Sequence, residues 1–224
     1  LNISNYEKAI QQVTDLIDGK PAEILTEGVT CCACNEYCPT GANPFDLINR
    51  IQEENKSLPI PEKMVAWMAS GGKLPTEIIR GDESEPVLSM SVMERWIPDG
   101  AIDGRMFEGL TIAKGGNYFC YLGFVHFGMF SPLEENAQKF VDNLASIGAK
   151  EIVFIHPDCY SMISKMQEFN ISVPFKAIHI IEYMRDYLQN NSNAIVPINK
   201  KIAFQRLCVS RFVPEIEPIL GRFI

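Results

Sequence analysis

The sequence predicts an α/β protein in two parts: a helical N-terminal module, then a module built on a parallel sheet. Three observations lead there. Apolar residues recur at helical spacing through about residue 80, strand-like and helix-like segments alternate from about Asn117 onward, and four cysteines crowd one loop of the helical part. Alternation of strand and helix implies parallel pairing with helices on the sheet faces.

Along the first part, Tyr6 to Asp18 carries Ala9, Ile10, Val13, Leu16 and Ile17 at the spacing of one helix face. Asn43 is placed as an N-cap with Pro44 at the first helical position, and Phe45, Leu47, Ile48 and Ile51 are spaced for burial. A short helix is expected over Pro61 to Ala69. The stretches KSLPIP and GGKLPTEIIRGDESEP read as loops. The expected organisation is therefore residues 1–80 as the helical module, 81–116 as a linker and 117–224 as the α/β module. Met and aromatic residues in VLSMSVMERW fall at helical spacing and are expected to pack. The pairs Gly71-Gly72 and Gly115-Gly116 read as turns.

In the second part, Tyr118 to Val125 is strand-like and Pro132 to Ile147 is an amphipathic helix ended by Gly148. Glu151 to Ile155 follows as a strand, Asp158 to Phe169 as helix, Val173 to Ile178 as strand, Ile180 to Leu188 as helix and Lys201 to Leu207 as strand. Functional residues of such sheets lie beyond the carboxyl ends of strands. Cys159 in HPDCY and Cys208 in CVSR both occupy that position.

Bulk properties narrow the setting. The 224 residues carry a formal charge of -8, and the pI is about 5.0, which argues against nucleic acid as a partner. No apolar run has the length of a bilayer-spanning helix, and the start LNISNYEKAI is not a signal peptide. The expected location is the cytoplasm, or a membrane periphery reached through a partner. Seven cysteines without a secretory signal favour metal ligation over disulfides. Because the chain begins at Leu1 and ends in GRFI, a trimmed piece of a longer protein is expected, with the second module incomplete.

Cys31, Cys32, Cys34 and Cys38, the last followed by Pro39, give the sharpest chemical signal. Each iron of a cubane takes one thiolate, and closely spaced cysteines can wrap a cluster from a single loop. The bacterial ferredoxin run is Cys-x2-Cys-x2-Cys-x3-Cys-Pro. Cys31, Cys34, Cys38 and Pro39 reproduce its last three ligands and its proline, while its first position falls on Gly28. Cys32 is the most economical fourth ligand; a residue from elsewhere or a non-protein ligand is the rival. The expected cofactor is one [4Fe-4S] cluster. A zinc knuckle and a relic loop without metal are the plainer readings.

Longer segments carry a resemblance. CACNEYCPTGANPFDLINRIQ resembles a helical ferredoxin module. NAQKFVDNLASIGAKEIVFIHPDCYSMI, then KAIHIIEYMRDYL and KIAFQRLCVSR, resemble the α/β module of the cysteine-rich CCG-domain family. That family includes heterodisulfide reductase catalytic subunits and iron-sulfur subunits of glycolate and glycerol-3-phosphate oxidation. The resemblance implies an electron-transfer subunit of an anaerobic oxidoreductase complex, itself not the catalytic subunit, with a flavoprotein or another iron-sulfur subunit as partner.

Departures from the family pattern limit what carries over. The region from Val65 to Gly72 has no cysteine where a second ferredoxin run would fall. The Cys-Cys-Gly motif would fall near Val125 to Gly128, where only the glycine remains, and Cys-x-x-Cys has become His156-Pro157-Asp158-Cys159. A second working cluster is therefore not expected. Cys120, Cys159 and Cys208 are at most remnants of its ligand set, with Cys159 and Cys208 the candidates for a second site.

Taken residue by residue, Cys120 in YFCYLGF reads as a small buried hydrophobe. His156 reads as satisfying a backbone carbonyl, and His126 and His179 as core or helix-edge histidines. The chain has no Gly-x-Gly-x-x-Gly, P-loop or Gly-x-Ser-x-Gly elbow. Two alternatives stand beside electron transfer. One is a structural or assembly subunit with a degenerate second cluster site, the other thiol-disulfide chemistry at Cys159 and Cys208.

Overall fold

The computed structural model describes residues 6–38, 40–191, 193, 200, 201, 203, 207–213, 216 and 218. Pro39 and most of the strand expected over Lys201 to Leu207 lie outside the described residues. The fold is α/β, with helices and a five-stranded, mostly parallel sheet. It divides into two compact units, residues 1–69 with 121–136, and residues 70–120 with 137–224.

The first unit is helical. It contains α1 (Tyr6–Ile17), α2 (Ile24–Glu27), α3 (Ala33–Glu36), α4 (Pro44–Asn55) and α5 (Glu62–Ala69). A 3-10 turn over Leu122–Phe127 and the opening residues of α6 (Ser131–Ala145) complete it. Leu16, Ile24, Leu25 and Ile48 form a core, against which Val13, Cys34 and Ile51 pack.

The apolar stripe expected on α1 is only partly buried, since Ile10 is 48% and Ile17 70% exposed. Gln12 takes the buried position instead, because its Oε1 accepts the backbone N–H of Ile24 at 2.7 Å. On α4 the polar residues Asn49 and Gln52 are buried beside Phe45 and Ile48. Asn49 Nδ2 donates to the Val125 carbonyl at 2.7 Å and Gln52 Nε2 to that of Leu25 at 2.9 Å. Both side chains thus direct their polarity to backbone carbonyls inside the unit, the Val125 carbonyl also accepting the Gly128 N–H at 3.2 Å.

The second unit holds the sheet, made of β1 (Glu77–Ile79), β2 (Val87–Ser91), β3 (Thr111–Lys114), β4 (Glu151–Phe154) and β5 (Lys176–His179), with α7 (Pro157–Ser164) and α8 (Ile180–Asn190). The strand order is β1-β3-β2-β4-β5. Among the described residues only β1 runs antiparallel to its neighbour. Leu88, Met90, Leu110, Val153, Ile178 and Ile180 form one core, joined by Tyr183 and Met184 of α8. Val87, Ser89, Ile152 and Phe154, on alternate positions of the same strands, are buried too. A parallel sheet covered on both faces has this pattern.

Three expectations are corrected here. Residues 81–116, expected as a linker, supply the strands β2 and β3, and VLSMS, read at helical spacing, is the central strand β2. Tyr118 to Val125, expected as a strand, instead forms parts of two 3-10 turns, Gly116–Tyr118 and Leu122–Phe127.

Strand order also locates a reversal within the sheet. From β2 the chain moves to β3 on one side, then returns past β2 to β4 and β5 on the other. Winding therefore reverses between β2 and β4, and the carboxyl ends of strands at such a reversal frame a crevice.

Candidate metal centre

Three chemically competent side chains meet near that reversal. Sγ of Cys120, a ring nitrogen of His156 and Sγ of Cys159 all lie within 4.8 Å of one another. Cys120 is 1% and Cys159 0% exposed, while the His156 side chain keeps 18% of its surface.

Local backbone chemistry places each of them. Ile155 N donates to Ser89 O at 3.2 Å, which extends the β4 pairing one residue past the strand. Pro157 forces its predecessor out of the helical region. His156 accordingly sits at φ -93°, ψ 116°, as the cap of α7 with Pro157 at its start. Cys159 N then donates to His156 O at 3.1 Å, closing the first turn and bringing the Cys159 sulfur to 3.4 Å from His156 Nδ1. On the other ring edge, Nε2 is 3.7 Å from Asp158 Oδ1.

Cys120 arrives from the end of β3 through two glycines. Gly115 has φ +103°, and a Cβ there would stand 2.0 Å from Pro75 O; one on Gly116 would stand 2.6 Å from Gly72 O. Only glycine permits this backbone approach. Gly115 N donates to Ser91 O at 2.7 Å, and Ser91 Oγ donates to Tyr118 O at 2.7 Å, fixing the turn that leads into Cys120. Gly71 supports the same segment by packing against the Phe119 ring. The two glycine pairs are close-packing devices as well as turns.

Burial pushes the Cys120 thiol well above its ordinary pKa. A divalent cation reverses that preference, because it binds the thiolate and displaces the proton. Two thiolates and an imidazole with a fourth position open form a donor set known for zinc and compatible with iron.

The sequence-predicted site residues divide differently. Cys159 lies in the group. Cys208 opens a 3-10 turn, Cys208–Phe212, that Ser161 Oγ of α7 reaches by donating to Val209 O at 3.0 Å. Among the described residues Cys208 is not part of the Cys120, His156, Cys159 group. Cys120, read as a buried hydrophobe, and His156, read as a backbone partner, are the members that sequence reasoning passed over.

In the helical unit, Cys31, Cys32 and Cys34 line one small cavity of about 20 Å³ together with Gly28, Thr30 and Gln52. Gly28 occupies the position of the missing ferredoxin ligand. A Cβ there would meet Ile24 O at 2.5 Å, so this backbone has no room for a cysteine. Cys32 is buried at φ +60°, its sulfur 3.8 Å from Thr30 O. Cys38 turns elsewhere: its sulfur is 3.2 Å from Thr40 Oγ1, and hydrogen bonds from the Thr40 side chain and from the Thr40, Ala42 and Gly41 backbone hold its thiol below the usual range. Burial, and then the neighbouring Cys31, push the Cys34 thiol up.

The soft donors suit an iron-sulfur cluster. The cavity itself is small, about 20 Å³, and Cys38 is not among its lining residues. Among the described residues these four cysteines do not converge as Cys120, His156 and Cys159 do.

No family model, curated protein or solved structure matches the chain. No helix among the described residues is long and apolar enough to cross a membrane.

Proposed function

We propose that the chain is a metal-thiolate electron-transfer subunit of an oxidoreductase complex. Cys120, His156 and Cys159 hold a metal centre in the α/β unit, and Cys31, Cys32, Cys34 and Cys38 close on an iron-sulfur cluster in the helical unit. The observation that carries this is the convergence of two buried thiols and an imidazole beside the winding reversal of a parallel sheet. Nothing in ordinary packing requires two sulfurs and a ring nitrogen to share one buried point. Bound there, a metal would supply a charge centre whose potential the protein tunes by burial and by hydrogen bonds to the sulfurs. The chain's own part is to present the thiolates, orient His156 and limit water. The resemblance to heterodisulfide reductase and glycolate oxidase iron-sulfur subunits is the ground for assigning redox chemistry and for a flavoprotein or iron-sulfur partner.

A second reading has its own support. Two thiolates and an imidazole also suit structural zinc, which would make the α/β unit a docking element.

Metal and sulfide analysis of anaerobically purified protein, with EPR after reduction, separates the two. The redox reading expects iron and acid-labile sulfide, a share of the iron lost in Cys120→Ser and Cys159→Ser, and a different share lost in Cys32→Ser and Cys34→Ser. Zinc alone, at one per chain and lost only in the first pair of variants, would establish the structural reading instead.

A further inference from the structure

We propose that the outward stripe of α1 is a docking seat for a basic amphipathic helix of a partner protein. The seat rests on neither metal site, so the two readings can fail separately.

Tyr6, Ile10, Val13 and Ile17 follow one another at spacings of four, three and four residues. That spacing puts them on one narrow stripe, the pattern by which one helix receives another along its length. Val13 packs against the core of the helical unit, while Tyr6 is 51%, Ile10 48% and Ile17 70% exposed. Polar anchors on another side of the helix hold the stripe outward. Besides the bond between Gln12 Oε1 and Ile24 N, Gln12 Nε2 donates to Glu23 Oε2 at 3.3 Å, and Lys8 Nζ donates to the same oxygen at 2.9 Å. Turning α1 to bury Ile10 and Ile17 would break these bonds. The 12 residues of α1 give a seat about 18 Å long, enough for three turns of a second helix.

Charge selects the occupant. The helical unit holds twelve Asp and Glu against five Lys and Arg, whereas the sheet unit holds sixteen against fifteen, so seven of the eight net negative charges lie on the helical unit. Three of its five bases are already paired, Lys8 with Glu23, Lys20 with Asp18 and Arg50 with Glu134. Glu7 stands exposed next to Tyr6 at the outer edge of the stripe, and Asp18 next to Ile17. Seven of the ten large apolar side chains exposed among the described residues also belong to this unit. A second copy of the chain would bring like charge to the contact. A partner helix with Leu or Ile along one stripe and Lys or Arg around it answers both the apolar surface and the charge.

The test uses the full chain and two synthetic amphipathic peptides of equal length, one with Leu along its stripe and Lys elsewhere, the other with Glu in place of Lys. Calorimetric titration should find one Lys peptide per chain, bound more weakly as salt rises from about 0.05 M to about 0.5 M. The Glu peptide should bind at least about tenfold less well. Hydroxyl-radical footprinting should show Tyr6, Ile10 and Ile17 open in the free chain and protected in the complex. Ile10→Ser combined with Ile17→Ser should weaken binding about tenfold or more, while Trp96→Ser, in the sheet unit, should leave it unchanged. No binding, equal binding of the two peptides, protection elsewhere than on α1, or a stripe already covered in the free chain by a second copy or by the chain itself each overturns the proposal. The wild-type titration and footprint decide even if a variant fails to fold. Protein that holds neither iron nor zinc yet seats the Lys peptide on α1 sinks the metal reading and leaves this one standing; metal-loaded protein that ignores the peptide does the reverse.

Discussion

His126 Nδ1 lies 2.9 Å from the carbonyl oxygen of Thr30, a residue 96 positions earlier in the chain. A carbonyl only accepts, so Nδ1 carries the proton and donates. Thr30 Oγ1 adds a contact to the His126 carbonyl at 3.5 Å. The bond matters because Thr30 and Cys32 both adopt left-handed backbone, at φ +49° and +60°, on either side of Cys31. Each such residue costs on the order of 1 kcal/mol, and strain of this kind persists only where its surroundings hold it. His126 is one such hold on the cysteine loop.

Replacing His126 with Ala removes that donor. The expected loss is about 1 kcal/mol, seen as a fall in Tm of roughly 2–4 °C, and on the proposed cluster reading the 31–38 loop should also retain less iron. His126→Asn can place an amide N–H near the Nδ1 position and should restore both. Calorimetry with iron analysis on the three proteins checks this. An Ala variant with unchanged Tm and iron would mean that other contacts set the loop.

Much of the helical architecture was legible because an amphipathic helix advertises itself by period. α4, α5, α6 and α8 fall within a few residues of where apolar spacing, Pro44 and Gly148 put them. The sheet was harder to read. β2 is buried at all five positions, so it lacks the alternation that marks a half-exposed strand, and its Met and Val run into VMERW at spacing that also suits a helix. β3 is four residues long and sits between loops. The site was half legible. Cys159 follows a strand and lies in the first turn of the helix after it, whereas Cys120 sits in irregular backbone, and its partnership with Cys159 depends on how tightly Gly115 and Gly116 pack against residues 72–76. That is a tertiary fact without a local pattern.

His179 makes stability depend on pH. It is 6% exposed, and burial pushes its imidazole down from 6.5 to about 4. Its Nδ1 accepts the Ile181 N–H at 3.2 Å as the cap of α8, and its ring meets Tyr160 edge-on at 5.1 Å. A folded-state value below the unfolded one means the contribution is complete above pH 6.5 and is lost as pH falls toward 4. The difference corresponds to about 3 kcal/mol. His179→Asn keeps a capping acceptor without titrating, so urea melts from pH 7 down to pH 4 should fall more steeply for the wild type. Parallel curves would show that His179 does not titrate differently in the folded state.

Glu53 of α4 is the anchor for the start of α6. One carboxylate oxygen accepts the backbone N–H groups of Phe130 and Ser131 at 2.7 and 2.8 Å, and the other accepts the Ser131 hydroxyl. The first N–H groups of a helix have no partner within it, and their positive end favours a negative charge. Glu53 therefore does the work of a capping residue from a distance in sequence. Glu53→Gln keeps one acceptor oxygen but removes the charge and puts an amide donor where an acceptor is needed, so a loss of about 1 kcal/mol is expected. Glu53→Ala leaves all three donors unanswered and should cost about 2 kcal/mol. Hydrogen exchange distinguishes a local effect from a global one: the Ser131 amide should exchange faster in both variants while the amides of β4 keep their protection. Equal protection of Ser131 in Glu53→Ala and wild type would show that another acceptor replaces the carboxylate.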